Sequence, residues 1–384
     1  MSAVYIVDGI RTPIGKTNGI LKDFLPEQLT AILLNELIKR SQLQKEDVEQ
    51  IILGNIVGTG GNIARLSLLE ADFPLSTPAM TIDSQCSSGF ASIQVATALI
   101  ASGQADLLIV GGMESTSMAP QRKFNQKDPR FIDENTYYEQ APFSPSKIGN
   151  PEVGLAAENL ANKLNITRED MDKLALNSHM KAKQTKQEGI LTNVIKPLVF
   201  NNKEIKDDEC IRANITIELL KRMPASFTKN GAITAGNTCL KHDGAAVLLL
   251  ASGSALKKFN LQAKAVIKDN VSVGCDPNFF PLGPVYAINK LLQKNDLNLQ
   301  AIDFVEINEA FAVKILACCQ ELSLPLDKVN VLGGALAYGH PYGASGAIIL
   351  LHLLKTLEVF AKKTGIASIG AVGGLGSAIL VERC

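Results

Sequence analysis

Two stretches of this chain alternate short β-rich runs with longer amphipathic ones, and a polar stretch of different character separates them. In the first, residues 4–7, 51–56, 79–82 and 107–110 read as strands, with helical patterns over 26–40 and 89–101 between them. In the last, residues 265–273, 304–307, 329–332, 367–372 and 378–381 read as strands, with helices over 282–292 and 346–356. Such alternation predicts an α/β fold of packed layers. The runs 107–110 and 247–250 are continuously apolar, which predicts strands covered on both faces and much parallel sheet. Each half also opens a helix from a glycine-bearing turn, Cys86-Ser-Ser-Gly89 and Gly343-Ala-Ser-Gly346, and ends a strand in a Gly pair, Gly111-Gly112 and Gly373-Gly374. This internal duplication has too long a period for a solenoid and predicts two similar units packed together.

Between them, residues 120–235 are rich in proline at first and then in Lys, Gln and Asn, with helical patterns over 156–163 and 168–188. They read as an excursion from the core, either covering a site or lying on the surface without a role. The expected division is 1–119 with 236–262, then 120–235, then 263–384.

Composition removes several function classes. The 38 basic and 38 acidic side chains cancel, which argues against a nucleic-acid binder. Hydrophobic residues make up 46%, enough for a large core. The sequence shows no run of about 18 apolar residues, so no membrane span is expected. The start, with Asp8 and Arg11, does not read as a signal peptide. Seven scattered cysteines without a CxxC pair fit free thiols in a cytoplasmic setting. No metal-ligand spacing occurs, Gly58-Thr-Gly-Gly61 lacks dinucleotide spacing, and no phosphate-binding loop exists, so neither metal nor bound cofactor is expected.

Three segments carry chemistry. Cys86 stands between a strand and a helix, where unpaired N–H groups and the helix dipole favour a thiolate. It reads as a nucleophile or as a buried structural cysteine. His340 lies in the glycine-rich segment 333–346, where it could activate a thiol or polarise a carbonyl, or simply occupy a solvated turn. Asn308 follows the strand 304–307, where it could serve an oxyanion or cap the helix 311–321. Cys318-Cys319, inside that helix, reads as packing.

These segments, in this order, resemble the thiolase family over nearly the whole chain. Further matching blocks are Arg11-Thr-Pro-Ile-Gly15, Gly111-Gly-Met-Glu-Ser115, Thr234-Ala-Gly-Asn237, Asp243-Gly-Ala245, Asn308-Glu-Ala-Phe-Ala312 and Gly339-His-Pro-Tyr-Gly343. The resemblance implies a five-layered αβαβα core of two duplicated halves, with a loop domain over the active site. It implies reversible acyl transfer between coenzyme A and the α-carbon of another acyl-CoA, with acetyl-CoA or acetoacetyl-CoA as expected substrates. By the same resemblance, Cys86 is the acylated nucleophile, His340 activates it and helps bind a thioester oxygen, and Asn308 fixes an oxyanion-hole water. The N–H groups of Cys86 and Val372 form a second oxyanion hole, and Phe227, Phe280 and Phe311 line the pantetheine channel.

The sequence departs from the family in three places. Gly370 occupies the position of the second catalytic cysteine, which ordinarily moves the proton on the α-carbon. Cys239 replaces a serine that contacts pantetheine. Glu152-Val153 and the segment 120–150 differ from the acetoacetyl-CoA enzymes that form tetramers, so a homodimer is expected, with a tetramer as the alternative. The missing thiol leaves two other functions open. One is an enzyme limited to acyl transfer, thioester hydrolysis or decarboxylative condensation, and the other is a degenerate acyl-CoA-binding protein.

Overall fold

The computed structural model describes residues 2–138 and 140–384. The first half holds strands β1 (Val4–Arg11), β2 (Gly15–Lys16), β3 (Gln50–Gly54), β4 (Ala79–Ile82) and β5 (Leu107–Glu114), with helices α1 (Pro26–Ser41), α2 (Ile63–Glu70) and α3 (Ser88–Ala101). The excursion holds helices α4 (Val153–Leu164) and α5 (Arg168–Gln187), a small hairpin of β6 (Leu198–Phe200) and β7 (Lys203–Ile205), and α6 (Ile217–Lys221). The chain then re-enters through β8 (His242–Ser252) and α7 (Gly253–Lys258). The last part holds β9 (Ala265–Gly274), α8 (Gly283–Lys294), β10 (Phe304–Ile307), α9 (Ala312–Leu322), α10 (Ala335–Tyr338), α11 (Ser345–Val359), β11 (Thr364–Ala371) and β12 (Leu375–Arg383).

The central sheet runs β10-β11-β12-β9-β1-β8-β5-β3-β4, with β2 paired to β8. Its two halves join where Val4, Tyr5 and Ile6 of β1 pair with Ile267, Val266 and Ala265 of β9. Side-chain alternation sorts the layers. Leu108, Val110, Leu248 and Leu250 face one way, into a core shared with Ile369, Ile379 and Val381 of the other half. Leu107, Ile109, Val247 and Leu249 face the other way, into a second core with α1 and α2. Ala378 and Leu380 turn to a third core with α8 and α9. Because adjacent strand residues point to opposite faces, the order is α1/α2, half-sheet, α3/α11, half-sheet, α8/α9. These are the five layers of the fold expected above. Burying each Leu or Val in such a layer contributes about 2 kcal/mol.

Three readings need correction. The sheet is less parallel than the apolar runs suggested: β3 pairs parallel with β4 and β5, and β10 with β11, but the junction strands are antiparallel. The two runs used to argue for parallel strands pair antiparallel with each other, Leu108 opposite Leu250 and Val110 opposite Leu248. Helix layers on both sides are what made them continuously apolar. Residues 329–332 form no strand beyond a single bridge at Val329. The buried Asn330 turns left-handed there (φ 47°), and its side chain bonds Ile307 N and O at 2.8 and 2.9 Å. Finally, Tyr342–Val359 is long and apolar enough to cross a membrane, although no such run was expected; 72% of it is buried within the fold. α11 is apolar nearly all round because half-sheets cover both its sides.

α3 and α11 meet at their starts with almost no side chain between their backbones. A Cβ on Gly346 would lie 2.5 Å from Phe90 N, and one on Gly112 would lie 2.0 Å from Gly343 O. No rotamer relieves an overlap with backbone. Gly112→Ala and Gly346→Ala should each cost about 3 kcal/mol or more. Gly274→Ala, where a Cβ meets nothing within 4 Å, should change stability by only ~0.5 kcal/mol. Thermal unfolding midpoints of the three variants test this, and an unshifted Gly112→Ala midpoint would show that the contact is looser than described.

Candidate active site

Cys86 reaches its place through a sharp reversal after β4. Asp83 Oδ1 accepts from Gln85 N at 2.9 Å, Gln85 takes a left-handed conformation (φ 53°), and Ser88 Oγ accepts from Ser84 N at 2.8 Å. The left-handed residue costs about 1–2 kcal/mol, and the local hydrogen bonds hold it. Cys86 therefore stands just ahead of Ser87, the N-cap of α3. The apolar face of that helix runs through Phe90, Ile93, Ala96 and Ile100, with Leu99 only half-buried.

Burial pushes the Cys86 thiol up to about 11. The Lys314 ammonium and the backbone N–H groups of Cys86 and Val372 pull the other way, and Glu114 adds to the rise. The thiolate-favouring effect expected of a helix start is thus present but outweighed by desolvation. The N–H of Val372, which follows β11, does act on the Cys86 sulfur together with Cys86's own N–H.

His340 follows Gly339, whose φ of 115° ends α10. Its N–H donates to His242 Nδ1 at 3.1 Å. Its Nδ1 lies 3.1 Å from the Asn308 amide nitrogen and also against Ser345 Oγ. Among the described residues, Nε2 has no protein partner. Burial holds the imidazole well below its usual pKa, and the Lys314 and His242 charges act in the same direction. His340 is therefore neutral and buried, unlike a solvated turn histidine. Asn308 is 1% exposed and reaches His340 with its side chain, so it is not a surface helix cap.

The residue that sequence reasoning missed is Lys314. It is wholly buried in α9, with Nζ 3.3 Å from Asn308 Oδ1 and 3.3 Å from Gly370 O. Among the described residues no carboxylate pairs with it. A signal was available: it is the single charge in the run Phe311-Ala-Val-Lys-Ile-Leu-Ala-Cys-Cys319. Cys318 and Cys319, one turn on, are packed in the core.

Gly370 pairs with Gly376 in the β11–β12 ladder. A Cβ there would lie 2.8 Å from Pro284 Cδ and 3.0 Å from Phe280 O, so a cysteine could be placed only by shifting the start of α8. Cys239 is half-buried, and its N–H donates to Ala310 O at 3.0 Å. Burial pushes its thiol up to about 12, with Cys86 raising it further and Lys314 lowering it. Phe311 (5% exposed) and Phe280 (4%) belong to the α8/α9 core, and half-buried Phe227 meets Phe311 edge-on at 6.3 Å. Phe280 and Phe311 thus back the site mainly as core residues.

Glu114 fastens the two halves of the site. Its Oε1 accepts from Val57 N and Asn55 Nδ2, and its Oε2 accepts from Gly343 N at 3.0 Å. Burial still pushes its carboxyl up to about 7. A cavity of about 320 Å³ lies elsewhere, beside α5 and residues 189–211, and none of Cys86, Asn308 or His340 lines it.

The chain is similar to known proteins over its whole length. Residues 4–254 match the family profile "Thiolase, N-terminal domain" and residues 261–383 match "Thiolase, C-terminal domain". Two bacterial relatives named "Putative acetyl-CoA C-acetyltransferase" align over their full lengths. VraB of Staphylococcus aureus (strain MW2) is 39% identical over 100% of both chains. YhfS of Bacillus subtilis (strain 168) is 40% identical over 100% of this chain and 99% of its own. Among solved structures, Bacillus anthracis acetyl-CoA acetyltransferase superposes with a TM-score of 0.94 at 35% identity, covering 100% of this chain and 99% of that one. Human mitochondrial 3-ketoacyl-CoA thiolase in complex with CoA superposes at 0.93 and 34% identity, covering 100% and 98%. Both domains, the five layers and the order of the site segments lead to one conclusion: this chain belongs to the thiolase family.

Proposed function

We propose that this protein is an acyltransferase that moves an acetyl or longer acyl group between coenzyme A thioesters through an acyl-Cys86 intermediate. The observation that carries the reading is the buried Asn308–His340 pair, joined at 3.1 Å, in the turn region that packs against the helix start bearing Cys86, where a Cβ on Gly89 would lie 2.9 Å from Gly343 O. The N–H groups of Cys86 and Val372 favour the ionised Cys86 sulfur. Attack by that sulfur on a thioester carbonyl generates an oxyanion, and fixed donors beside the nucleophile stabilise it without reorganisation. The proton of the resting thiol leaves with the coenzyme A sulfur. His340 Nε2, without a protein partner among the described residues, is available to the thioester oxygen of a second substrate. The full reaction joins the acetyl carbon on Cys86 to the α-carbon of a second acetyl-CoA, and thiolysis reverses it.

Gly370 favours one competing reading, an enzyme restricted to steps that need no α-proton base, such as thioester hydrolysis or decarboxylative condensation. A protein that only binds acyl-CoA is disfavoured, because Cys86, Asn308 and His340 are all present, with Asn308 bonded to His340 and Lys314 acting on Cys86.

Incubation with acetyl-CoA should add one acetyl mass, mapped to Cys86 and lost in Cys86→Ser. An unlabelled wild-type protein would overturn the acyl-enzyme reading. Thiolysis of acetoacetyl-CoA at a rate of order 1 per second or more would then separate the full reaction from the restricted one.

The raised thiol predicts a pH dependence in the substrate-free protein. A thiol with a pKa of about 11 is ionised in only ~1 of 10⁴ molecules at pH 7. Alkylation of Cys86 by iodoacetamide, followed by peptide mass, should rise about tenfold per pH unit from 7 to 10. A rate that levels off near pH 7 would instead mean that a resting thiolate–ammonium pair already exists.

A further inference from the structure

Resting on the acyl-transfer reading above, we propose that Lys314 carries the proton of the carbon–carbon step, in place of a thiol at position 370. Its Nζ lies 3.3 Å from the carbonyl oxygen of Gly370, the residue that stands where that thiol is missing. It also lies 3.3 Å from Asn308 Oδ1, and the same amide reaches His340 Nδ1 at 3.1 Å. Cys86, Cys239 and His340 all feel its charge. Lys314 thus reaches Asn308 and Gly370 directly and acts on Cys86, Cys239 and His340 through its charge.

A purely structural role accounts poorly for it. The side chain is 0% exposed, and among the described residues its acceptors are two neutral oxygens at long range. Taking an ammonium out of water without a carboxylate is costly, and the group responds by releasing its proton more easily. Burial lowers the Lys314 pKa, with the Cys86, Cys318 and Cys239 thiols opposing the fall as they ionise. A buried amine of lowered pKa is a competent general base. Gln or Met would fill the same space without that penalty.

The step balances without a further reactant. In condensation, the neutral Lys314 amine takes a proton from the methyl group of the incoming acetyl-CoA. The C–H electron pair forms the new C–C bond to the acetyl carbon held on Cys86. The C–S bond to Cys86 breaks, and the Lys314 ammonium returns its proton to the departing sulfur. In the reverse direction the Cys86 thiol proton passes through Lys314 to the α-carbon, and free coenzyme A then removes the acetyl group from Cys86.

The test compares wild type, Lys314→Met and Lys314→Arg in three assays: acetylation of Cys86 by acetyl-CoA, thiolysis of acetoacetyl-CoA, and exchange of the acetyl-CoA methyl protons with D2O. Arg keeps the charge but cannot serve as a base at these pH values. Both variants should acetylate Cys86 within about tenfold of wild type and lose thiolysis and exchange by at least ~100-fold. Lys314→Gln, which is smaller and polar, makes the same comparison if either replacement disturbs folding. Thiolysis within threefold of wild type in any folded variant would overturn the proposal. So would an equal loss of acetylation and thiolysis, which would mean that Lys314 only poises the nucleophile. Wild type that is acetylated but neither exchanges nor thiolyses would overturn the proton-carrier role while leaving acyl transfer standing. Wild type that takes no acetyl label would overturn both.

Discussion

The site depends on a contact between two backbones. Gly343 O sits where a side chain on Gly112 would have to be, and α3 and α11 begin within touching distance of each other. That approach puts the Cys86 turn of one half against the His340 turn of the other. Glu114 ties the contact from β5 by accepting from Gly343 N and Val57 N. Neither half carries a complete site. Each supplies a helix start and a glycine-bearing turn, and the chemistry exists only where they meet. A packing requirement and a catalytic one therefore fall on the same residues.

Buried charge performs a second kind of fastening. Arg11, 0% exposed, holds Asp208 through two bonds of 2.7 and 2.8 Å. Asp208 belongs to the excursion, so this pair attaches residues 120–235 to the end of β1. Ile14 N donates to the same carboxylate at 2.9 Å, and Arg11 Nε donates to His352 Nε2 of α11 at 3.2 Å. Breaking such a pair leaves an ion unpaired in the core and costs about 3–5 kcal/mol. Glu158 and Asn237 act similarly with neutral partners: Glu158 accepts from Ala232 N and Ile233 N, and Asn237 O accepts from Ala312 N at the start of α9. Asn237 Nδ2 also donates to Asp172 of α5 at 2.9 Å, so the excursion is tied through Asn237 to the helix that carries Lys314.

How much of this could be read in advance depended on whether the signal was periodic. The strand at 304–307 matched its sequence bounds, and most helices differed only at their ends, because apolar spacing specifies a face and caps specify where it stops. Strand direction was not legible, since a strand covered on both faces looks the same whether its neighbour runs with it or against it. Cys86, Asn308 and His340 were singled out through their glycine or strand-end context, and of these Asn308 and His340 lie within hydrogen-bond distance of one another. The state of Cys86 was misjudged, because the helix start is a local feature while desolvation comes from elements distant in sequence. Lys314 was passed over for a related reason. A lone lysine among apolar residues becomes a site residue only when β11 brings Gly370 O to it.

The Asn308 side chain gives the buried lysine a further consequence. An ammonium has no lone pair, so a protonated Lys314 requires Oδ1 of Asn308 on its side. The amide nitrogen must then face His340 Nδ1, as it does at 3.1 Å. With Nδ1 accepting from that amide, and the Ser345 hydroxyl turned toward it rather than toward Pro341 O, the imidazole proton resides on Nε2, and that nitrogen becomes a donor. A neutral amine imposes no such order, because it can also accept from the amide. In the proposed step Lys314 becomes an ammonium at the moment the α-carbon loses its proton. That is also when the thioester oxygen takes on enolate charge and needs a donor. One proton on Lys314 would thus favour the His340 tautomer that the developing charge requires, through the Asn308 amide and the Ser345 hydroxyl and without any movement of the backbone.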